Sequence, residues 1–399
     1  MSKTEKIIEN FDQYVMGNYR RYPIVFEKGK GCLLWDVEGG KYLDFFSSWA
    51  TTGLGHSHPG VIEAVKEQVE KMIHIPNIYY TEAQGELAYL ISKISFPGKT
   101  FFCNSGAEAN ETAIKLARRY GAKKGKYEII TMRGSFHGRT LATVAATAQE
   151  KYHEGFEPLP QGFQYAKFNN IKSVEKLISE KTVAIMLEPI QGEGGIHVAT
   201  QEFLFALRKI CNEQDIILIF DEVQTGIGRT GKYFGFQNYK AVEPDVMTLA
   251  KALGNGTAIG AVILKNKYKD VLVPGTHAST FGGNPLACSA AIAVLKIIEE
   301  ENILENVEKQ GNYLKNRLEQ LKERYPELIK EVRGLGLMLG MELLIDDGSD
   351  IISKCLSKKV LFNCTQKNVL RFMPALNVGE REIDAAMNIF EEVIKGIKK

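Results

Sequence analysis

The middle of the chain alternates short apolar runs with stretches whose apolar residues recur at the period of a helix. The apolar runs, which predict buried strands, are residues 101–103, 128–132, 183–187, 216–220, 246–249 and 261–264. Residues 108–120 and 202–211 lie between such runs and predict amphipathic helices. This alternation predicts an α/β fold with a mostly parallel sheet and helices on both faces. Such a sheet binds its ligands beyond the carboxyl ends of its strands.

Both ends of the chain differ from this pattern. The segments concerned are residues 33–36 and 41–44, which predict a hairpin, and residues 303–324 and 380–397, which predict long amphipathic helices. We therefore predict a large domain over residues 51–285. A smaller α+β domain would combine an N-terminal segment, residues 1–50, with the C-terminal residues 286–399.

The composition narrows the class of protein. Fifty Lys and Arg residues against 48 Asp and Glu residues leave a net charge of +2, which disfavours a nucleic-acid partner. The apolar runs are far shorter than a membrane span needs, and the first ten residues alternate Lys and Glu instead of forming a signal peptide. Six cysteines without a Cys-x-x-Cys pair indicate a reducing compartment and no metal. We predict a soluble cytoplasmic enzyme.

Two charged residues follow predicted strands at the edge where ligands bind. Lys251 comes just after residues 246–249, and burial there would lower its pKa and make its amine a nucleophile toward a carbonyl. The alternative is a solvated loop lysine. Asp221 comes directly after residues 216–220, where a carboxylate needs a partner such as a protonated ring nitrogen. The alternative is a helix cap or an ion pair with an arginine.

A third candidate is the start of the helix that follows residues 101–103. Ser105, Gly106 and Ala107 would present backbone N–H groups and a hydroxyl to an anion the size of phosphate. The alternative is an ordinary capping box, in which Ser105 pairs with Glu108 three residues later. Both arrangements are geometrically compatible.

Two other motifs are weaker. Gly226, Gly228 and Gly231 fit the G-x-G-x-x-G pattern of dinucleotide-binding proteins, but no helical periodicity follows them to supply a helix N-terminus for a pyrophosphate. A nicotinamide or flavin oxidoreductase is therefore disfavoured. His56 and His58 have no acidic or cysteine ligands nearby in sequence, so we interpret them as loop residues and not as a metal pair.

Two arginines lie in surroundings that suggest carboxylate binding. Arg139 lies in a Gly-containing loop, and Arg371 lies within an apolar, strand-like segment. An arginine flanked by apolar residues usually holds a carboxylate, either of the protein or of a ligand. Glu193, within a Gly-rich stretch, is a candidate internal partner for either arginine.

Taken together, these motifs resemble those of the class III aminotransferases, which use pyridoxal 5'-phosphate (PLP). The resemblance runs from about Tyr19 to the last helix. Five motifs carry it, in the order of the family: Asn104-Ser105-Gly106-Ala107-Glu108-Ala109-Asn110, Ser135-Phe136-His137-Gly138-Arg139-Thr140, Glu188-Pro189-Ile190-Gln191-Gly192-Glu193-Gly194, Asp221-Glu222-Val223-Gln224-Thr225-Gly226 and Ala250-Lys251-Ala252-Leu253-Gly254. It implies the fold type I of PLP-dependent transferases.

The resemblance also implies roles around the cofactor. Lys251 would bond covalently to PLP and move a proton, and Asp221 would keep the pyridinium nitrogen protonated. The phosphate would lie on Ser105, Gly106 and Ala107, the ring would stack on Phe136, and Gln224 would contact its phenolic oxygen. Thr280 would reach the phosphate of a neighbouring subunit, which implies a homodimer with shared active sites.

The substrates implied are N-acetylornithine as amino donor and 2-oxoglutarate as acceptor, a step of arginine biosynthesis. Arg139 would hold the donor's α-carboxylate and the distal carboxylate of 2-oxoglutarate, while Arg371 would hold the α-carboxylate of 2-oxoglutarate. Glu193 would pair with Arg371 until the keto acid binds. The resemblance places Tyr19 and Ser279 among the substrate contacts.

Trp49 departs from this pattern. Relatives that use N-acetylornithine carry small and aliphatic residues around residues 47–50, whereas relatives that use free ornithine carry two serines and an aromatic residue. Free ornithine and N-succinyl-diaminopimelate therefore remain alternative donors, and Trp49 is a candidate substrate contact or a residue that fills a domain interface. A PLP-dependent mutase or decarboxylase, which would not need Arg371 and Glu193 as a pair, and a non-catalytic binding protein are further alternatives.

Overall fold

The computed structural model describes residues 1–397, so the last two residues of the predicted 286–399 segment lie outside it. The N-terminal part begins with a helix, three strands and a very short helix, followed by two longer helices. These are α1 (Lys3–Tyr14), β1 (Phe26–Lys30), β2 (Leu33–Asp36), β3 (Lys41–Asp44), α2 (Ser47–Ala50), α3 (Pro59–Lys71) and α4 (Glu82–Ile94). The predicted hairpin is β2 and β3, which pair in antiparallel fashion.

The middle of the chain contains the alternating strands and helices that the sequence predicts. They are β4 (Gly98–Cys103), α5 (Gly106–Gly121), β5 (Glu128–Met132), α6 (Leu141–Ala146), β6 (Phe163–Ala166), α7 (Ile171–Glu175), β7 (Thr182–Leu187), β8 (Ile190–Gln191), β9 (His197–Val198), α8 (Gln201–Gln214), β10 (Ile217–Asp221), β11 (Val246–Leu249) and β12 (Gly260–Lys265). Each of the six predicted apolar runs overlaps a strand, and both predicted helices are present.

The C-terminal part consists of long helices around a small sheet. Its elements are α9 (Pro285–Glu300), α10 (Ile303–Arg324), β13 (Ile329–Leu335), β14 (Met338–Leu343), α11 (Ser349–Ser357), β15 (Val360–Leu361), β16 (Asn363–Thr365), β17 (Val369–Phe372) and α12 (Glu380–Lys395). Helix α10 has the predicted bounds, whereas α12 ends two residues before the predicted end at 397.

Seven strands form the central sheet, in the order β4-β12-β11-β10-β7-β5-β6. The pairs from β11 to β6 are parallel, and β12 is antiparallel to both of its neighbours. The prediction of a mostly parallel α/β sheet is therefore confirmed. Because β4 runs in the same direction as β11, the carboxyl ends of β4, β5, β7, β10 and β11 lie at one edge of the sheet.

Both faces of the central sheet are covered. In β10, Ile217 and Ile219 pack into the cluster that contains α5, while Leu218 and Phe220 pack into the cluster that contains α8. Successive side chains of a strand point to opposite faces, so a strand covered on both sides reads as an uninterrupted apolar run. That is why the sequence revealed these strands.

The two ends of the chain meet in one sheet. Strand β15 pairs in parallel with β3, so that Val360 lies opposite Leu43, and this completes the sheet β1-β2-β3-β15. The neighbouring antiparallel sheet has the order β13-β14-β17-β16. These pairings join residues 1–50 to the C-terminal part, while the exact domain bounds stay a prediction. Within residues 1–397, no helix combines the length and the apolar character that crossing a membrane requires.

Candidate active site

A cavity of about 380 Å³ lies at the carboxyl ends of the parallel strands. Nine of the residues predicted for the site line it, although they come from positions between 105 and 251. They are Ser105, Gly106, Ala107, Phe136, Arg139, Glu193, Asp221, Gln224 and Lys251. The sheet topology brings them together because each follows a strand that ends at this edge.

Asp221, the last residue of β10, is buried and fixed by three hydrogen bonds. Its Oδ1 accepts from the backbone N–H of Val223 at 3.0 Å, and its Oδ2 accepts from Asn110 Nδ2 at 2.7 Å. The Nδ1 atom of His137 lies 2.7 Å from the same Oδ2, which fits a histidine that carries its proton on Nδ1. The carboxylate is thereby held in one orientation at the cavity wall.

Lys251 follows β11 and begins a short 3₁₀ turn, Lys251–Leu253, with a φ of 44°. This left-handed conformation is uncommon for a lysine and directs the chain sharply away from the strand. Burial lowers the pKa of Lys251, although the nearby Glu193 and Asp221 carboxylates oppose part of this effect. A lowered pKa makes more of the free amine available for attack on a carbonyl.

The N-terminus of α5 opens on the cavity beside Lys251. Ser105 is the N-cap, and its Oγ accepts the backbone N–H of Glu108 at 3.2 Å. The carboxylate of Glu108 bonds to Asn104 instead of completing a capping box with Ser105. Gly106 packs so closely that a Cβ atom there would lie 2.8 Å from Val223, which explains a glycine at this position.

Gln224 has an unsatisfied polar atom at the cavity. Its buried Oε1 atom has no hydrogen-bond partner among residues 1–397. The side chain fits because Gly192 opposite it has no side chain; a Cβ there would lie 1.8 Å from Gln224 Oε1. Phe136 contributes an aromatic ring to the same cavity. An unsatisfied amide and an aromatic ring next to Asp221 suit a flat, polar heterocycle.

Four polar residues of this site were given no role by the sequence analysis: Asn110, His137, Glu188 and Thr248. Glu188 follows β7 and lines the cavity, where it accepts the backbone N–H groups of Phe136 and Gly192. Burial raises the pKa of Glu188 to about 7. Its position directly after a fully buried strand was the available signal, because the same argument singled out Asp221.

Arg371 lies on β17 and is almost completely buried, with 1% of its surface exposed. Its Nη1 donates to Glu193 Oε1 at 2.6 Å, and its Nε donates to Asn363 Oδ1 at 2.7 Å. Burial alone would raise the pKa of Glu193, but the Arg371 guanidinium outweighs burial and lowers it. Arg371 does not line the cavity itself; it reaches the cavity through Glu193.

Arg139 is arranged differently. Its side chain is exposed, and its guanidinium lies 4.2 Å from the ring centroid of Tyr152 and 5.3 Å from that of Phe136. Within the described part of the chain it makes no ion pair with a carboxylate. The aromatic contacts hold the guanidinium at the cavity mouth and leave its N–H donors available.

Besides Arg371, four predicted site residues do not line the cavity. Tyr19 is 65% exposed and contacts the Arg21 guanidinium, and Thr280 is exposed on the surface. Ser279 lies next to the cavity, where its Oγ accepts from Asn104 Nδ2 at 3.3 Å. Trp49 is 49% exposed and packs edge-on against Phe46, so it does not fill a buried interface within one chain.

The segment that carries Trp49 has an unusual backbone. The four residues of α2, Ser47 to Ala50, all have a positive φ between 46° and 67° and therefore form a left-handed turn. No glycine or asparagine relieves it, although such a conformation costs about 1–2 kcal/mol for each L-residue. The backbone N–H groups of Phe46 and Ser47 donate to Asp44 Oδ1 and hold the start of the turn.

The two weaker motifs have structural roles. Gly231 is followed by a short 3₁₀ turn, Gly235–Asn238, and not by an α-helix. Arg229 within the glycine motif is buried and donates to the carbonyls of Leu337 and Pro374. The glycine motif therefore contacts the C-terminal part of the chain. His56 Nε2 lies 2.7 Å from Asp44 Oδ2. Among the residues that the structure describes, no cluster of three or more His, Cys, Asp or Glu residues suits a metal ion.

The cavity fits the PLP that the resemblance implies. Asp221 offers a buried carboxylate to a protonated ring nitrogen, and the α5 N-terminus offers N–H groups to a phosphate. Gln224 supplies a polar atom that lacks a partner, and Lys251 supplies the amine. These groups surround one cavity, as binding of a single small molecule requires.

Comparison with known proteins agrees with this chemistry. The family model described as aminotransferase class-III matches residues 14–394. The chain is 53% identical to an acetylornithine aminotransferase from Caldanaerobacter subterraneus subsp. tengcongensis over 389 residues, which are 97% of this chain and 98% of that protein.

Solved structures are similar over nearly the whole chain. An acetylornithine aminotransferase from Elizabethkingia anophelis matches with a TM-score of 0.88 and 33% identity, and the match covers 100% of both chains. An ornithine aminotransferase from Toxoplasma gondii, with PLP at partial occupancy in its active site, matches with a TM-score of 0.92 and 31% identity. That match covers 98% of this chain and 94% of the other.

Proposed function

The chain belongs to the class-III aminotransferases, and from this premise we propose that it transfers the terminal amino group of N-acetylornithine to 2-oxoglutarate. The products would be N-acetylglutamate 5-semialdehyde and glutamate, a step of arginine biosynthesis. The cofactor is PLP. Acetylornithine aminotransferases that match at 53% and 51% identity over nearly the full length support this choice of donor.

Bound PLP supplies an electron sink that stabilises negative charge at the carbon next to the transferred nitrogen. Asp221, fixed by Asn110 and His137, would accept a hydrogen bond from the protonated ring nitrogen and keep that nitrogen charged. Lys251, with its lowered pKa, would hold the cofactor covalently and then carry a proton as a general base. The N–H groups at the start of α5 would hold the phosphate and set the cofactor's depth in the cavity.

The observation that carries the proposed acceptor is the ion pair of Arg371 with Glu193. A buried guanidinium can bind a carboxylate strongly only when its own carboxylate partner withdraws. Glu193 is positioned for this because its side chain lies at the cavity, whereas Arg371 is enclosed by the protein. The ion pair of Arg371 with Glu193 would therefore stay intact while a donor with one carboxylate is bound. It would break when 2-oxoglutarate brings a second carboxylate.

Arg139 is a candidate to bind the other carboxylate of the substrates. Its guanidinium lies over Tyr152 and has no carboxylate partner among residues 1–397, so it can bind a substrate carboxylate without breaking an ion pair. We infer that it holds the α-carboxylate of the donor and the distal carboxylate of 2-oxoglutarate. Tyr19, Trp49 and Ser279 remain proposed substrate contacts.

We also propose a homodimer with shared active sites. Thr280, which would reach the partner's phosphate, neighbours an apolar surface formed by Ile73, Ile78, Tyr79, Tyr80 and Phe281, all of which are exposed. His74 contacts Phe281 at 5.3 Å between ring centroids, which joins the two segments of this surface. Exposed apolar patches of this kind mark protein–protein interfaces. All six cysteines are free, in keeping with the proposed cytoplasmic location.

A donor panel tests the proposed function. Transamination to 2-oxoglutarate is measured with N-acetylornithine, ornithine, N-succinyl-diaminopimelate and 4-aminobutyrate, and Lys251→Ala serves as the inactive control. We expect N-acetylornithine to give the highest kcat/KM. Turnover by Lys251→Ala at the wild-type rate would overturn the proposed role of the Lys251 amine. Absence of transamination with all four donors would overturn the proposed function.

Free ornithine is the second candidate donor, because Trp49 resembles the aromatic residue of ornithine-using relatives and an ornithine aminotransferase matches in structure. Trp49→Ala separates the two. If ornithine dominates the wild-type panel and Trp49→Ala shifts the preference toward N-acetylornithine, the indole selects the smaller donor. If N-acetylornithine dominates with either residue, Trp49 has no part in donor selection.

A further inference from the structure

Arg371 has a second partner besides Glu193, and it contacts a different edge of the guanidinium. Asn363 Oδ1 accepts from both Nε and Nη2 of Arg371, while Glu193 accepts from Nη1 alone. Asn363 lies on β16 directly opposite Arg371 on β17, so the ladder of the small sheet fixes their distance. The guanidinium of Arg371 therefore donates two N–H groups to a neutral partner, Asn363, and one to a charged partner, Glu193.

The neutral character of Asn363 matters once Glu193 withdraws. An amide oxygen satisfies two donors without cancelling the positive charge of the guanidinium, so Arg371 stays cationic toward an incoming carboxylate. A carboxylate at position 363 would satisfy the same donors but neutralise that charge. An apolar residue there would leave buried N–H groups without a partner and free the side chain to rotate.

The same strand also holds the backbone of Glu193. Thr365 Oγ1 and Gln366 Nε2 both donate to the carbonyl oxygen of Glu193 at 2.7 Å. With its backbone fixed by the end of β16 and the following turn, Glu193 can change partner only by rotating its side chain. The β16 segment thus contacts both members of the ion pair.

We propose that Asn363 is a positioning residue for the acceptor half-reaction. It keeps the guanidinium of Arg371 in one plane, with Nη1 toward the cavity, while the Glu193 side chain is exchanged for the α-carboxylate of a dicarboxylic keto acid. This inference rests on the proposed function, because it takes Arg371 as the group that binds the keto acid. Asn363 affects the substrate only through Arg371.

The test compares Asn363→Asp, Asn363→Ala and Asn363→Ser in the PLP-loaded enzyme. Each half-reaction is followed separately through the absorbance of the cofactor, one with N-acetylornithine and one with glutamate. The KM for 2-oxoglutarate is measured in the steady state. Binding of glutarate, a dicarboxylate without a keto group, is measured by calorimetry, and thermal unfolding reports any loss of folding.

We expect Asn363→Asp to raise the KM for 2-oxoglutarate and the Kd for glutarate by about tenfold or more, with the N-acetylornithine half-reaction changed by less than about twofold. Asn363→Ser retains an acceptor oxygen and should remain closer to wild type than Asn363→Ala. The matched control is Asn368→Ala, because Asn368 precedes β17 and bonds to Leu343 instead of Arg371. It should leave both half-reactions unchanged.

Equal losses in both half-reactions, or a wild-type KM for 2-oxoglutarate in Asn363→Asp, would overturn the proposal. Arg371→Lys distinguishes this failure from a failure of the proposed function. If Arg371→Lys leaves the KM for 2-oxoglutarate unchanged, the keto acid does not use Arg371 and the proposed function itself is wrong in this respect. If Arg371→Lys raises that KM and Asn363→Asp does not, only the role of Asn363 is refuted.

Discussion

At the scale of single residues, the site depends on polar side chains that are buried together. Thr248 Oγ1 donates to Asn110 Oδ1 at 2.7 Å, and Asn110 in turn donates to Asp221 and to the carbonyl of His137. In this network the polar side-chain atoms of Thr248, Asn110 and Asp221 each have a partner, which avoids the desolvation cost of an unmade hydrogen bond. The orientation of Asp221 therefore depends on Asn110 and His137, which are far from it in the sequence.

Asn110→Ala tests this network. The variant leaves Asp221, Thr248 and the His137 carbonyl each short of a partner, so we expect the free energy of unfolding to fall by about 1–3 kcal/mol. Because the Asp221 carboxylate would also lose its fixed orientation, PLP should dissociate faster during dialysis, as measured by absorbance of the retained cofactor.

Thr248→Val is the matched control, since it removes the hydrogen bond from Thr248 to Asn110 and leaves the bond between Asn110 and Asp221 intact. It should lower stability by about 1 kcal/mol and retain PLP as the wild type does. Unchanged PLP retention in Asn110→Ala would show that Asn110 has no part in orienting Asp221.

The sequence predicted some residues of the site and missed others. Asp221 and Lys251 could be placed at the ligand edge because each directly follows an apolar run, and the structure has both at the cavity. Glu188 follows a run of the same kind but was overlooked. The contact between His137 and Asp221 spans 84 positions, so no local pattern contains it. The catalytic roles themselves stay predictions until they are measured.

At the scale of elements, the left-handed turn α2 contrasts with its surroundings. The strands of the central sheet were predictable because burial on both faces requires apolar residues throughout. Nothing in Ser47-Ser48-Trp49-Ala50 signals a positive φ, since glycine and asparagine are absent. The contacts of Asp44 with the N–H groups of Phe46 and Ser47 are local and hold only the start of the turn, so they do not account for the positive φ of the residues that follow.

Ser48→Gly measures the strain in this turn. Ser48 has a φ of 52°, and glycine adopts that conformation freely, so the substitution should raise the free energy of unfolding by about 1 kcal/mol. Chemical denaturation with a spectroscopic readout is the measurement.

The same substitution in an ordinary helix should have the opposite sign. Ser353 lies within α11 and does not have a positive φ, so Ser353→Gly should lower stability by about 0.5 kcal/mol. If both substitutions lower stability equally, the turn is not strained.

At the scale of the whole molecule, a single chain leaves the apolar surface of Ile73, Ile78, Tyr79, Tyr80 and Phe281 uncovered. It lies beside the loop of Ser279 and Thr280, because Asn77 Nδ2 donates to the carbonyls of Ser279 and Gly282. Pairing of two chains through this surface would bring the Thr280 loop of each chain close to the other chain, as the proposed contact with the partner's phosphate requires. The sequence alone could not define the surface, since its two segments are about 200 positions apart.

Tyr80→Asp tests the assembly. Tyr80 is fully exposed in one chain, so a buried aspartate at this interface would lack a partner and the dimer should dissociate. Light scattering after size exclusion should give the mass of one chain, with a loss of transaminase activity. Phe205→Asp, on the exposed side of α8, is the control and should remain a dimer. A monomeric wild type would contradict the proposed assembly.

The pairing of β3 with β15 has a consequence for synthesis of the protein on the ribosome. Lys359 donates to the Tyr42 hydroxyl across 317 positions, and Val360 lies opposite Leu43. The sheet β1-β2-β3-β15 therefore cannot be completed until most of the polypeptide has been translated. In a nascent chain that has already formed the N-terminal hairpin, the edge of β3 stays unpaired until β15 has been translated. Chaperones that cover strand edges would protect it during this time.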